Sequence, residues 1–301
     1  MRQSVPAIHI IGGGISGLIA ATVLEQHGFL PTIIEASDRL GGRVKTDIID
    51  GYSLDRGFQV LLTAYPAAKK YLDFDALSLQ EFLPGAAIFK NGKQKIIGDP
   101  SRKPSLLIPT LLSGIGTVKD KFKILALNQR LKKKTIQEIF AEKEQSTRLY
   151  LEDIGFSDAI ITDFFTPFFS GIFLENKLET SSRMFEFVYK MFGEGMATLP
   201  KHGIEAIPKQ LANKLKNTTC IYNTKVKGVE NNNIKLESGD IIKSNFTIIT
   251  TQASELVSNL KKQATHWKYC DTIYFETPKR NIKKKLTGIS EHHIQMTKDY
   301  Y

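Results

Sequence analysis

Three glycines near the start of the chain, Gly12, Gly14 and Gly17, stand in G-x-G-x-x-G spacing, and a carboxylate, Glu35, follows 23 residues after the first. Between a strand and a helix, that set binds phosphate and sugar. The first glycine permits a tight turn, the second lets backbone approach a pyrophosphate, and the third lets helix and strand pack closely. The helix start, with Ile15 and Ser16 in its first turn, supplies N–H donors and the positive end of a dipole. Glu35, followed by Ala36, is placed to accept hydrogen bonds from a ribose diol. The chemistry these residues predict is recognition of a dinucleotide.

A second glycine turn comes directly after. In Glu35-Ala36-Ser37-Asp38-Arg39-Leu40-Gly41-Gly42-Arg43, the paired glycines allow another close backbone approach. Arg43 offers a forked donor that offsets phosphate charge, or else forms a surface ion pair. This stretch resembles the one after the ribose-binding Glu in the superfamily of flavin amine oxidases, protoporphyrinogen oxidases and phytoene desaturases. The resemblance implies FAD rather than NAD, with Arg39, Gly42 and Arg43 among the residues that meet it. It also implies that the loop Leu54-Asp55-Arg56-Gly57-Phe58-Gln59 passes close to the isoalloxazine. Gly57, Phe58 and Gln59 are then flavin neighbours, although Phe58 and Gln59 read equally as ordinary core and loop residues. Val226 is the implied adenine contact, and Thr250-Thr251 lies where the chain returns beside the cofactor. Gly193, Gly195 and Met196, with residues 203–208, either lead back to the cofactor domain or form turns.

The elements that must position these residues read as follows. Ala7 to Ile11 is a short apolar run, as expected of a parallel strand. Ile15, Leu18, Ile19, Thr22 and Val23 recur at helical spacing, Gly28 ends the helix, and Pro31 to Ile34 forms a second strand. Residues 86–97 alternate about Asn91-Gly92 and predict a hairpin. Residues 104–190 are mostly helical. Ile221 to Val229, Ile234 to Leu236 and Ile241 to Thr250 predict a three-stranded meander, and Asp271 to Pro278 a further strand. The fold class expected is α/β: a discontinuous Rossmann-like FAD-binding domain over 1–80 and 195–255. A mixed helical and β substrate domain is inserted over 81–194 and 256–301, incomplete at the C-terminus. By the resemblance, about a hundred further residues would follow Tyr301, so the chain is expected to be a truncated product, a fragment or half of a split protein.

Composition narrows the rest. Hydrophobic residues make up 42% and charged residues 24%, which excludes a membrane bundle or a disordered chain. Cys220 and Cys270 form no CxxC pair, so neither a disulfide framework nor a metal site is expected. The apolar run 7–24 is interrupted by glycines and lacks a cleavage site, which points to a cytoplasmic protein. The net charge of +10 resides in one region, because residues 90–134 hold twelve Lys or Arg against Asp99 and Asp120. There an uncharged run, Pro104 to Val118, is flanked by cations, and an amphipathic helix follows. Residues 102–134 therefore make a peripheral membrane contact or simply cover a core. Aromatic interleaving is absent, so no nucleic-acid partner is expected. Phe164, Phe165, Phe168, Phe169 and Phe173 form either an aromatic core or the lining of a pocket for a bulky apolar substrate.

The predicted activity is removal of hydride from a small hydrophobic substrate onto flavin N5, as a desaturase or protoporphyrinogen-oxidase-like enzyme. Aligned with the family, Thr272-Ile273-Tyr274-Phe275 puts Cys270 where amine oxidases carry a lysine, with Lys268 two residues earlier. That departure argues against amine oxidation. A flavin amine oxidase and a truncated, inactive FAD-fold binding protein are the alternatives. No catalytic residue and no oligomeric state can be assigned from the sequence.

Overall fold

The computed structural model describes residues 6–57, 60–90, 92–260, 267–269, 271–276, 287–290 and 295–296. The chain forms two units, the first from 1–56, 70–78 and 200–267, the second from 57–69, 79–199 and 268–301. Against the expected boundaries, residues 57–69, 79–80 and 195–199 belong to the second unit and 256–267 to the first. Backbone pairing explains most of the shift. The strands at Leu61–Leu62, Leu79–Glu81 and Ala197–Pro200 make one sheet with each other.

The chain opens with β1 (Ile8–Ile11), α1 (Ile15–Gln26) and β2 (Thr32–Ile34), then the hairpin β3 (Thr46–Ile49) and β4 (Tyr52–Asp55). The second unit begins with β5 (Leu61–Leu62), β6 (Leu79–Glu81) and the hairpin β7 (Gly85–Lys90) and β8 (Lys93–Gly98). Its main helices are α2 (Leu107–Leu111), α3 (Val118–Lys133), α4 (Thr166–Phe173) and α5 (Ser182–Glu194), followed by β9 (Ala197–Pro200). Back in the first unit come α6 (Ala206–Lys214), β10 (Thr219–Ile221), β11 (Val226–Glu230), β12 (Asn233–Leu236), β13 (Ile241–Lys243) and β14 (Phe246–Ile249). Two late strands, β15 (Thr287–Ser290) and β16 (Gln295–Met296), belong to the second unit.

The first unit is built on a parallel sheet of order β10-β2-β1-β14. Successive residues of a strand point to opposite faces. Ile10 and Ile33 accordingly pack with Leu18 and Ala21 of α1 and Leu211 of α6. Ile11 and Ile34 turn the other way, onto Val226 and Ile234 of the β11-β12-β13 meander. Both faces are covered, which is why these strands read as unbroken apolar runs.

Two of the expected meander strands each divide. The 241–250 run breaks at Ser244 and Asn245, so β13 closes the meander while β14 pairs with β1. Ser244 is buried; its N–H donates to the Asn232 carbonyl at 2.8 Å, and its Oγ to the Phe246 carbonyl at 2.8 Å. Ala7 N–H donates to Asn245 Oδ1 at 2.8 Å, which anchors the switch to the first strand. The 221–229 run divides likewise, with β10 joining β2 and β11 joining the meander.

In the second unit the predicted hairpin forms, Lys90 pairing with Lys93 and Gly85 with Gly98. Asn91 lies outside the described residues. The expected strand at 271–278 is not present in residues 271–276, which are exposed and add to no sheet. The added strands lie later, in the polar tail. There β15 pairs parallel to β7 and β16 pairs with β15, for an order of β16-β15-β7-β8.

The aromatic segment does both things expected of it. Phe165 and Phe169, four residues apart, are fully buried with Phe185, their rings 5.9 and 4.7 Å from its ring. Phe164 and Phe168, one residue earlier on the helix, are rotated out of that core to line a cavity.

Helix α3 begins at a capping box in which Asp120 accepts from the Thr117 N–H at 2.7 Å. The same carboxylate accepts from the Ser157 N–H at 2.9 Å and the Ser157 hydroxyl at 2.6 Å, tying the start of the helix to the loop that precedes residue 158. Burial pushes the Asp120 carboxyl up, but the Ser157 and Thr117 donors outweigh it and hold it at about 2. A depressed folded value means that this stabilisation is complete above the ordinary value of 3.8 and is lost as pH falls towards 2. Asp120→Asn is therefore expected to cost roughly 2 kcal/mol in urea unfolding at pH 6. The gap from the parent should shrink as pH falls from 4 towards 2; a gap independent of pH would contradict this.

Candidate cofactor site

The glycine turn at 12–14 leads into α1, whose N-cap is Gly14, with no capping side chain and no acidic residue in the first turn. The first-turn N–H groups at Ile15, Ser16 and Gly17 are thus left for an anion. Gly17 is buried against the turn, so a Cβ there would overlap the Gly12 carbonyl oxygen. The second glycine turn lies alongside the first. Gly41 N–H donates to the Gly13 carbonyl at 2.8 Å, and a Cβ on Gly42, at φ +59°, would lie 3.1 Å from Gly14 Cα. Two motifs separated in sequence form one bare backbone cradle.

Glu35 directly follows β2 and is 8% exposed. Its Oε2 accepts from the Gly13 N–H at 2.7 Å, and its Oε1 from the Ser37 N–H at 2.8 Å and the Ser37 hydroxyl at 2.7 Å. A carboxylate offers about four acceptor positions, so one remains for a sugar hydroxyl. The link from β10 to β11 folds over this corner. Thr224 N–H donates to the Glu35 carbonyl and Asn223 N–H to that of Ser37, both at 3.0 Å. Val226 follows at the start of β11 and is buried with Ile11 and Ile34. Thr250 leaves β14 with its hydroxyl within 2.9 Å of the Ile11 and Gly12 carbonyls, so it clamps the glycine turn.

The two arginines differ. Arg43 is exposed and has no hydrogen-bond or ion-pair partner among the described residues. Arg39, expected at the cofactor, pairs with protein carboxylates, with Nε 3.1 Å from Glu205 and Nη2 3.5 Å from Asp47. Ala36 is exposed beside Glu35. Gly57, at φ +86°, lies in the second unit, and Phe58, Gln59 and Cys270 lie outside the described residues. Gly195 packs tightly against Ala64 within the second unit, and Gly203, at φ +80°, turns the chain before α6.

Sequence reasoning missed the supports. Ser37 orients Glu35, and the buried Lys45 donates to the Ser37 hydroxyl at 3.3 Å. Behind them Thr46, Asp55 and Glu205 are buried together. Thr46 Oγ1 donates to Asp55 at 2.6 Å, and the Ile204 and Glu205 N–H groups donate to Asp55 and Thr46. No spacing rule joins residues 46 and 205. The one local signal was the E-x-S after β2, an acid followed two residues on by a hydroxyl.

The second unit contains a cavity of about 370 Å³, walled by β7, β8 and the helices α2 to α5. Its lining is mainly apolar, including Phe82, Leu107, Phe122, Phe164 and Phe168.

The sequence profile of the family described as flavin containing amine oxidoreductase matches residues 15–298. The chain belongs to that family. Among curated relatives, polyamine oxidase 5 of Oryza sativa subsp. japonica is 50% identical over 56 residues, 19% of this chain and 11% of that protein. Protoporphyrinogen oxidase 2 of Arabidopsis thaliana is 27% identical over 166 residues, 54% of this chain and 32% of that protein. A crystal structure of an oxidoreductase from Methanosarcina mazei superposes with a TM-score of 0.60 at 20% identity, covering 84% of this chain and 61% of that one. Putrescine oxidase with bound putrescine gives 0.59 at 18%, over 81% and 57%. The chain thus spans a third or less of those curated relatives and about three-fifths of those structures. The structural likenesses show the α/β fold of the family.

FAD is the cofactor of this flavin-containing family, and the residues of the site fit it. The paired glycine turns leave backbone open where a Cβ would intrude, and the first turn of α1 offers uncapped N–H groups. Glu35 keeps an acceptor position, and Arg43 is a cation without a partner among the described residues.

Proposed function

We propose that this protein is an FAD-dependent oxidoreductase that takes hydride from an apolar substrate, of the desaturase or porphyrinogen-oxidising kind. The observation that carries this reading is the cavity of the second unit, about 370 Å³ and walled largely by aliphatic and aromatic side chains. Sites for small molecules are of this size and character. When bound, FAD supplies the hydride acceptor, at flavin N5. The chain's own residues hold and orient the cofactor through the glycine turns and Glu35, and the cavity walls take the substrate out of water. A polyamine would bring its charges against Arg102 and Lys121, both of which line the cavity.

Absorbance of the purified chain with added FAD, followed by anaerobic titration, tests the proposal. Flavin bands that bleach with a carotenoid precursor or a porphyrinogen, and not with a polyamine, are expected. Bleaching by polyamines alone would turn the assignment to amine oxidation. Absence of protein-bound flavin after incubation with excess FAD and removal of the free cofactor by desalting would leave only the inactive binding protein.

We further propose peripheral contact with an anionic bilayer through residues 102–134. Leu112, Phe122 and Ile108 are 78%, 68% and 67% exposed, and Lys103 and Lys119 are exposed near them. Among the described residues no helix is long and apolar enough to cross a membrane. An apolar patch rimmed by cations suits a surface-lying segment. In 50 mM salt the protein should sediment with phosphatidylcholine–phosphatidylserine vesicles, and L112D/F122D should reduce the bound fraction at least fivefold. Equal sedimentation of parent and variant would end this proposal.

A further inference from the structure

The cavity of the second unit has a polar wall as well as an apolar body, and the two kinds of polar group on that wall are in different states. The charged ones are engaged. Arg102 donates to the Phe192 carbonyl at 2.6 Å, to the Gly195 carbonyl at 2.7 Å and to Met196 Sδ at 2.8 Å. Lys121 Nζ donates to the Leu111 carbonyl at 3.1 Å, and Asp99 Oδ1 accepts from the Ser101 N–H and hydroxyl at 2.9 and 2.6 Å. Of the neutral ones, Thr110 is paired with Gly98, and two others are not engaged. Neither the Asn128 amide nor the Tyr189 hydroxyl has a hydrogen-bond partner among the described residues. Tyr189 is partly buried, and burial, aided by the Asp99 charge, raises its phenol above the ordinary value, so it stays a neutral donor.

Polar groups on a cavity wall that have no protein partner are left to be satisfied by water or by a ligand. Asn128, Tyr189 and Asp99 also line a small adjoining recess of about 10 Å³, room for roughly one water molecule. The wall therefore presents one unpaired amide and one unpaired phenol together. Charges of both signs flank them, so a ligand carrying a bare cation meets Arg102 and Lys121, and one carrying a bare anion meets Asp99. A neutral head group meets neither penalty and can pair with both free groups.

We propose that this cavity takes an uncharged amphiphile, an apolar chain or ring body ending in one neutral hydrogen-bonding group such as an alcohol, ketone or amide, seated on Asn128 and Tyr189. This rests on reading the cavity as the substrate pocket, and names the substrate class. It excludes polyamines and carboxylates as preferred occupants.

Displacement of Nile red from the full chain at pH 7.5 by a matched twelve-carbon series tests it: 1-dodecanol, dodecanoate, dodecylammonium and dodecane. Dodecanol is expected to bind about tenfold more tightly than each of the others, the scale of one or two satisfied hydrogen bonds. In the double variant Y189F/N128L that preference should fall to within about twofold of dodecane, with dodecane itself unchanged. The series on the parent protein stands alone if the variant does not fold. Tightest binding by dodecanoate or dodecylammonium, equal binding of dodecanol and dodecane, or no displacement at all overturns the proposal. A dodecanol preference in a protein whose flavin no apolar substrate bleaches supports this inference while defeating the oxidoreductase reading. Bleaching by apolar substrates without that preference does the reverse.

Discussion

Gly17→Ala is expected to leave the purified protein without flavin, lowering its affinity for FAD by at least about a hundredfold. The added Cβ would overlap the Gly12 carbonyl oxygen and sit 3.0 Å from Thr250 Oγ1. Neither neighbour is a flexible side-chain end. One is backbone of the glycine turn, and the other is the hydroxyl that clamps this turn at 2.9 Å from both the Ile11 and Gly12 carbonyls. Relief requires the turn to move away from α1, which misaligns the N–H donors on which a pyrophosphate depends. Alanine is intrinsically better than glycine inside a helix, by up to about 1 kcal/mol. The lesion should therefore show more strongly in ligand affinity than in thermal stability. Fluorescence titration with FAD, beside the thermal midpoint of the apoprotein, separates the two. Gln26→Ala, at the exposed far end of α1, serves as the control and should bind FAD like the parent. Parental affinity in Gly17→Ala would refute the close-approach argument.

Phe169→Ala should produce the largest loss of stability among single substitutions in the second unit, about 3–5 kcal/mol. The ring is fully buried and lies 4.7 Å from Phe185, 5.3 Å from Phe168 and 5.4 Å from Phe173. Its removal loses the transfer energy of the ring and leaves a void that three neighbouring rings cannot fill without leaving their own contacts. Phe164→Ala is the informative comparison, because Phe164 lines a cavity that already exists. That variant should cost less than half as much in urea unfolding and should instead weaken Nile red binding. Equal destabilisation by the two substitutions would mean that the division between core and cavity rings is wrong.

What could be read from the sequence was local. The glycine turns, Glu35 and the β1-α1-β2 order follow from rules that act within a few residues, and the structure places all of them together. The hairpin about residues 91 and 92 was legible for the same reason. Failures came where distant partners decide. A run such as 241–250 looks like one strand because its polar interruption, Ser244-Asn245, is short. Only contacts with Ala7 and Asn232 make it a switch between two sheets. The strand at 287–290 was invisible because its partner, β7, lies about 200 residues earlier. Arg39 was placed at the cofactor by the family resemblance, and its pairing with Glu205, 166 positions away in sequence, could not be read beside it. The support network of Thr46, Asp55 and Glu205 escaped for the same reason.

The order of strands in the parallel sheet has a consequence for how the chain is made. Thr32 of β2 pairs beside Thr219 of β10, and Ile8 of β1 beside Phe246 of β14. At synthesis rates of about 5–20 residues per second, the first two strands leave the ribosome on the order of 10–40 s before their outer neighbours exist. Through that interval the nascent β1–β2 pair has two open edges and an apolar face, while the whole helical region 104–190 is translated. Open edges of this kind are where chains join to one another in error. Shielding of β1 and β2 through that interval is therefore expected to bear on the yield of folded protein in a cell.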